Sequence, residues 1–205
     1  MNEDLLIQSA QSGDLDAFNE LILRYQNLLF SISLRILGDE DTAGDALQEA
    51  LISAFRKLNT FRGGSLRSWL ARIVVNSCYD ELRRKRRQST VPFEQLDAEG
   101  EGIEPDYWLI DPSADLEAKY ESIELESAIQ KCLSSLPADY RAIFVLVDVE
   151  CMSYEEAAAV VRVPIGTVKS RLARARMQMR KALQSFGDLL PIAYRVSAPL
   201  SMNAS

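Results

Sequence analysis

Between Arg162 and Lys181 the chain carries seven basic residues and no acid: Arg162, Lys169, Arg171, Arg174, Arg176, Arg180 and Lys181. Val168, Leu172, Ala175, Met179 and Leu183 recur through the same stretch at helical spacing, so the cations decorate an amphipathic helix. A short helix, a tight turn at Val163-Pro164-Ile165-Gly166 and this basic helix together make a helix-turn-helix. The second helix of that motif lies in the major groove of duplex DNA. Side chains near its N-terminus meet base edges, and flanking Lys and Arg meet phosphates. From Ile165 to Lys181 it would reach about 25 Å, enough to cross the groove and both its walls. Thr167, Lys169, Ser170, Arg171 and Arg174 face away from the apolar stripe or border it. Lys169 and Arg171 have the donors for guanine, whereas Arg174, Arg176 and Arg180 suit phosphates. A solvated helix face is the bland alternative, but such faces usually mix signs and this one does not.

A second cluster lies upstream. Phe61, Arg62, Ser65, Arg67, Ser68 and Trp69 precede and open a helix that ends in Arg83-Arg84-Lys85-Arg86-Arg87. Aromatic rings beside a basic surface suit single-stranded or melted DNA, where stacking is worth about 1–3 kcal/mol per base. Asn76 is polar within the apolar stretch Ile73-Val74-Val75, and its amide can read the edge of an extruded base. Trp69 as a core residue, and the basic run as a solvated helix end, are the simpler readings.

A third cluster is acidic. Asp41, Asp45, Gln48 and Glu49 share one helix face. A catalytic carboxylate pair is conceivable there, but no loop glycines, metal-ligand spacing or nearby base accompany it. A surface for a basic protein partner or a plain solvated face fits better.

The elements that carry these clusters are helical nearly throughout. Ala17, Phe18, Leu21, Ile22, Tyr25, Leu28, Leu29 and Ile32 mark a long helix between a Gly13-Asp14 start and a Gly38 stop. Ala43, Ala46, Leu47, Ala50, Leu51, Ala54, Phe55 and Leu58 mark the next. A loop at Asn59 to Gly64 precedes the third, from about Ser65. Pro137 separates two further helices, and Ser153 with Glu156 forms a capping-box pattern before a short apolar helix. The expected fold is all-α: a helical bundle over 1–87, an acidic linker over 88–127, a helix-turn-helix domain over 128–185, and a tail over 186–205. The pattern predicts a helix restarting near Ser113 to Glu117, and Phe93, Leu96, Ile103, Tyr107, Trp108, Leu109 and Ile110 give the linker apolar docking points.

Charge follows the same divisions. The 205 residues carry a net charge of −7, yet residues 88–127 hold 12 acids against one base, while 128–181 hold nine bases against five acids. The chain has no histidine, which removes most zinc sites and the commonest general acid–base. Cys78, Cys132 and Cys151 form no CxxC pair and read as reduced thiols. No phosphate-binding glycine loop occurs. The expectation is a protein that is not an enzyme and holds no cofactor or metal. The acidic start Met1-Asn2-Glu3-Asp4 and the lack of a long apolar run argue against membrane insertion and for the cytoplasm.

Taken in order, these motifs resemble the bacterial RNA polymerase sigma factors of the sigma-70 family, extracytoplasmic function (ECF) subfamily, over about residues 4–185. Asp45-Ala46-Leu47-Gln48-Glu49 is similar to the segment of region 2.2 that docks on the clamp coiled coil of the polymerase largest subunit. Phe61-Arg62-Gly63, Trp69-Leu70-Ala71-Arg72-Ile73, Asn76 and Asp80-Glu81-Leu82-Arg83-Arg84 resemble regions 2.3 and 2.4, which melt and read the −10 element. Leu136-Pro137, Tyr154-Glu155-Glu156-Ala157-Ala158 and Gly166 through Arg176 resemble region 4, which reads the −35 element.

The resemblance implies polymerase docking by Asp41, Asp45, Gln48 and Glu49. It implies −10 contacts by Phe61, Arg62, Ser65, Arg67, Ser68, Trp69, Arg72, Asn76, Arg83 and Arg84, and −35 contacts by Thr167, Lys169, Ser170, Arg171, Arg174 and Arg176. Its implied partners are the core polymerase, through the clamp and the flap of the second-largest subunit, together with promoter DNA and an anti-sigma factor. The linker would thread toward the active-centre cleft, letting two bodies meet elements roughly two helical turns apart. Gly44, inside the docking helix where relatives carry an acid, departs from the pattern and costs about 1 kcal/mol of helix propensity. A stand-alone helix-turn-helix regulator and a module that mimics a sigma factor to sequester its inhibitor are the competing readings.

Overall fold

The computed structural model describes residues 2–88 and 116–186, with side chains from Ile123 onward in the second stretch. The expectations for a threading linker and for the tail fall on residues 89–115 and 187–205, outside the described residues. Among the described residues, eight α-helices form two units. The first comprises α1 (Glu3–Gln11), α2 (Leu15–Leu37), α3 (Glu40–Lys57) and α4 (Leu66–Gln88). The second comprises α5 (Leu116–Ser135), α6 (Ala138–Phe144), α7 (Tyr154–Val161) and α8 (Ile165–Gln184). No strand occurs among the described residues.

Local chemistry sets the boundaries. The Asp14 carboxylate accepts the N–H groups of Asp16 and Ala17 at 3.0 and 3.1 Å and starts α2; its bonds from Ser9 and Ala17 hold that carboxyl below its usual pKa. Gly38 ends α2 at φ 91°, a left-handed position that glycine adopts without strain. Asp39 caps α3 through the Thr42 N–H at 2.8 Å and pairs with Lys85 of α4 at 2.9 Å. Burial pushes the Asp39 carboxyl up, but the bonds from Thr42 and Lys85 outweigh it and the net shift is downward. In the second unit, Ser153 and Glu156 exchange both capping-box bonds, at 3.1 and 2.9 Å, to start α7. Helix α5 already runs from Leu116, so the last part of the segment read as linker is helical.

The end of α7 is less comfortable. Arg162 sits at φ 55°, ψ 48°, in the left-handed region, within the turn that leads to α8. A side chain costs about 1–2 kcal/mol there. Arg162→Gly should therefore raise stability by about 1 kcal/mol, read as a higher denaturant midpoint at unchanged slope. A lower midpoint would mean that the Arg162 side chain itself stabilises the turn.

The two units are not held apart. They share one continuous buried core, with α7 packed along α4, and α5 and α6 against α2. Periodicity could identify each apolar stripe but not the element that covers it. Polar contacts reinforce the join. Arg141 of α6, 8% exposed, donates to Ile36 O of α2 at 2.5 Å and to Ser134 O and Leu136 O at 2.7 and 3.1 Å. A cation thereby meets the carbonyl ends of two helices, where the macrodipoles are negative. Between α6 and α7, a π-helical turn over Val145–Val149 carries Glu150 toward α2 and α4.

Candidate nucleic-acid interface

Helix α8 buries Val168, Leu172, Ala175 and Met179. At 100° per residue, Ser170, Arg174, Met177 and Lys181 point directly away from that stripe, with Lys169, Arg176 and Arg180 on one flank and Thr167 and Arg171 on the other. All five residues Lys169, Arg174, Arg176, Arg180 and Lys181 are exposed, while Thr167 and Arg171 are half-buried. Ser170 donates to Thr167 O at 3.0 Å, and the Lys169 ammonium lies 5.6 Å from the Tyr154 ring centroid.

Several of these cations have partners inside the chain. Arg171 pairs with Asp139 of α6 at 3.0 Å. Arg176 binds Asp148 through two bonds, at 2.8 and 2.6 Å, which push its pKa up. Arg174 donates to the Tyr140 hydroxyl at 3.3 Å, which also raises its pKa. The two flanks of α8 are thus strapped to acids of its own unit, and the outward face stays cationic. The sequence displayed the one-sign helix but not these straps.

The upstream cluster assembles around the start of α4. The Ser65 hydroxyl accepts the Ser68 N–H at 3.1 Å and caps the helix. Gln11 of α1 donates to Leu58 O and Phe61 O at 3.1 and 3.0 Å and fixes the loop from behind. Sequence reasoning missed that role, because an amide 47 or more positions away leaves no local signal. Phe61 is buried, and its ring meets half-buried Trp69 edge-on at 5.7 Å. The exposed part of the loop is therefore Arg62 to Ser65, while the Phe61 ring serves the core.

Along α4, Val74 and Val75 are buried and Asn76 is exposed, with no hydrogen-bond partner among the described residues. Arg67 and Ser68 contact the second unit: Arg67 donates to Glu150 O at 2.6 Å, and Ser68 to the Glu156 carboxylate at 3.5 Å. Arg72 is half-buried. Arg83 pairs with Asp80, and Arg84 with Glu81 at 2.5 Å.

On α3, Asp41, Asp45, Gln48 and Glu49 are all exposed, and Ile52, one turn on, is 53% exposed beside them. Glu49 lies 3.9 Å from Arg84, and the two flank an open pocket lined also by Asp80, Glu81, Arg87 and Gln88. The acidic face and the basic end of α4 are therefore adjacent. Spacing located the acids but not the exposed apolar Ile52 among them. Among the described residues no cluster could hold a metal ion, no helix is long and apolar enough to cross a membrane, and Cys78, Cys132 and Cys151 are free thiols.

Comparison with known proteins gives the same two units. Residues 21–88 match the family described as sigma-70 region 2, and residues 126–179 match sigma-70, region 4. The RNA polymerase sigma-H factor of Pseudomonas aeruginosa is 37% identical over 181 residues, 87% of this chain and 92% of that protein. The ECF RNA polymerase sigma-E factor of Escherichia coli is 37% identical over 186 residues, covering 90% and 95%. The sigma factor RpoE of Bartonella quintana, solved in complex with the anti-sigma factor NepR, is 29% identical with a TM-score of 0.62, covering 82% of this chain and 98% of that one. With two matched regions in order and near full-length relatives, the chain belongs to the ECF sigma factors of the sigma-70 family, which direct promoter-specific initiation of transcription by RNA polymerase.

Proposed function

We propose a bipartite mechanism with named residues in each part. The α8 face presents Lys169 and Arg171 to base edges of the −35 duplex, with Thr167 and Ser170 beside them and Arg174 and Arg176 on phosphates. The carrying observation is that this helix has no acid, buries one stripe and exposes cations opposite it. Engagement of a base edge by Arg171 and of a phosphate by Arg176 requires exchange of their carboxylate partners, Asp139 and Asp148, for DNA. That exchange lowers nonspecific attraction and leaves full engagement to the matched site.

In the first unit, the exposed Arg62–Ser65 loop, Arg67, Ser68, Arg72, Asn76, Arg83 and Arg84 engage the melted −10 strand, with Trp69 and Phe61 as the hydrophobic floor. Asp41, Asp45, Gln48 and Glu49 dock on the clamp of the polymerase largest subunit. Exposed Ile52 in their midst gives that face an apolar anchor within a polar rim. The second unit meets the flap, and the acidic segment follows the basic channel of the polymerase. No step makes or breaks a covalent bond on this chain; its work is binding and strand separation in the cytoplasm.

Asn76 supplies the test. An exposed, unpartnered amide beside buried valines has free donors and an acceptor for one extruded base. Asn76→Ala should lower open-complex formation about tenfold, read by permanganate reactivity of unpaired thymines, and leave −35 duplex binding unchanged. Equal open-complex formation by both proteins would remove Asn76 from the mechanism.

A further inference from the structure

Helix α1 precedes the residues that match sigma-70 region 2, 21–88, and carries none of the side chains assigned above to DNA. It nevertheless reaches the loop before α4 through one residue. Gln11, at the end of α1, commits both protons of its amide there, one to Leu58 O at 3.1 Å and the other to Phe61 O at 3.0 Å. Two carbonyl acceptors leave that amide a single orientation, nitrogen toward the loop. The same carbonyls bracket the 3-10 turn Leu58–Thr60, which the Phe61 N–H closes by donating to Leu58 O at 2.9 Å. Leu58 and Phe61 are buried, so Gln11 grips the chain at the last residue before it leaves the core.

The far end of the loop is fixed separately. The Ser65 hydroxyl accepts the Ser68 N–H at 3.1 Å, and Ser65 O accepts the Trp69 N–H at 3.0 Å. Between the two anchors, Arg62, Gly63 and Gly64 make no hydrogen bond among the described residues. Gly63 and Gly64 stand at φ 98° and 91°, and a Cβ at either would meet nothing within 4 Å. No neighbour therefore shapes the loop from the side, and its conformation rests on its ends. Ordering a residue costs about 1–2 kcal/mol of backbone entropy, and glycine loses the most freedom. Holding the take-off at Phe61 removes part of that cost before a nucleotide arrives. A leucine at position 11 would fill similar space but leave Phe61 O without its donor.

We propose that Gln11 is a positioning residue for melted-strand recognition, which makes α1 a working part of the −10 reader. Gln11 touches no nucleotide; it acts through Leu58 O and Phe61 O on the Arg62–Ser65 loop. The inference rests on the assignment of that loop to the melted strand.

The test uses the full chain assembled with core RNA polymerase, and a single-stranded oligonucleotide carrying the −10 element of a chain-dependent start site. Gln11→Leu should weaken oligonucleotide binding about tenfold, with binding to core polymerase and to −35 duplex unchanged. Placing one abasic nucleotide at each position in turn locates the effect. At the one or two positions that the loop holds, wild type and Gln11→Leu should bind alike, because the base being positioned for is gone. Ile7→Val, on the same helix, removes one buried methylene and no donor to the loop. It should lower the denaturant midpoint and leave oligonucleotide affinity unchanged. Equal affinity of wild type and Gln11→Leu overturns the proposal. So does a tenfold loss that persists at every abasic position, or an equal loss with Ile7→Val, since either marks α1 as general support for the unit. A wild-type complex that binds −10 and scrambled oligonucleotides alike defeats the assignment of the loop. Discrimination that Gln11→Leu retains in full defeats only the role of Gln11.

Discussion

Replacing Lys169 and Arg171 together by alanine should weaken −35 duplex binding by about 2–4 kcal/mol, roughly 30- to 1000-fold, while binding to core polymerase is unchanged. Lys169 is exposed and only leans on the Tyr154 ring, so its removal leaves no buried group unsatisfied. Arg171 exchanges Asp139 for DNA, so alanine there removes a DNA donor and also leaves an acid near the groove. Both effects act against binding. The salt dependence should stay nearly constant, because base-edge contacts release few counterions. Affinity titrations on matched and scrambled −35 duplexes would check this, with co-elution on core polymerase as the control. Equal loss on both duplexes would mean that these two residues grip phosphates and do not read sequence.

Arg141→Met should be the most destabilising single change considered, at about 3 kcal/mol in denaturant unfolding. The guanidinium ties Ile36 O, Ser134 O and Leu136 O, and burial lowers its pKa without discharging it. Methionine fills similar space but donates nothing, so three carbonyls at two helix ends lose a charged donor. Lysine should not rescue the protein, since one ammonium cannot span the same three acceptors. One cost is already present in the wild type: the Arg141 Nε has no partner among the described residues, which moderates the expected loss. A loss below about 1 kcal/mol would indicate that water replaces the guanidinium at those carbonyls.

Much of the fold was legible because its signals are local. Asp14 and Gly38 bracket α2, Pro137 precedes α6, and Ser153 with Glu156 opens α7, each within one turn of the residues it serves. The stripe of α8 and the acid face of α3 follow from spacing alone. Helix α1 was not identified: it is only nine residues long and buries just Leu6, Ile7 and Ala10. The π-helical turn left no pattern either. The candidate site was legible in kind but not in wiring. Phe61 read as a stacking ring and is core, because composition does not reveal which side of a loop a ring takes. The straps from Asp148 and Asp139 lie 28 and 32 positions from their arginines, and the Arg141–Ile36 bond spans 105. Contacts at such separation depend on how helices meet, which periodicity does not encode.

The central claim is that this chain supplies promoter choice to a polymerase that lacks it. The direct measurement is run-off transcription by purified core RNA polymerase on fragments of the parent genome, with and without the chain. The account predicts discrete new transcripts that require the chain, with start sites preceded by two shared sequence elements about two helical turns apart. Transcripts identical with and without the chain, from a core that responds normally to another sigma factor, would contradict it.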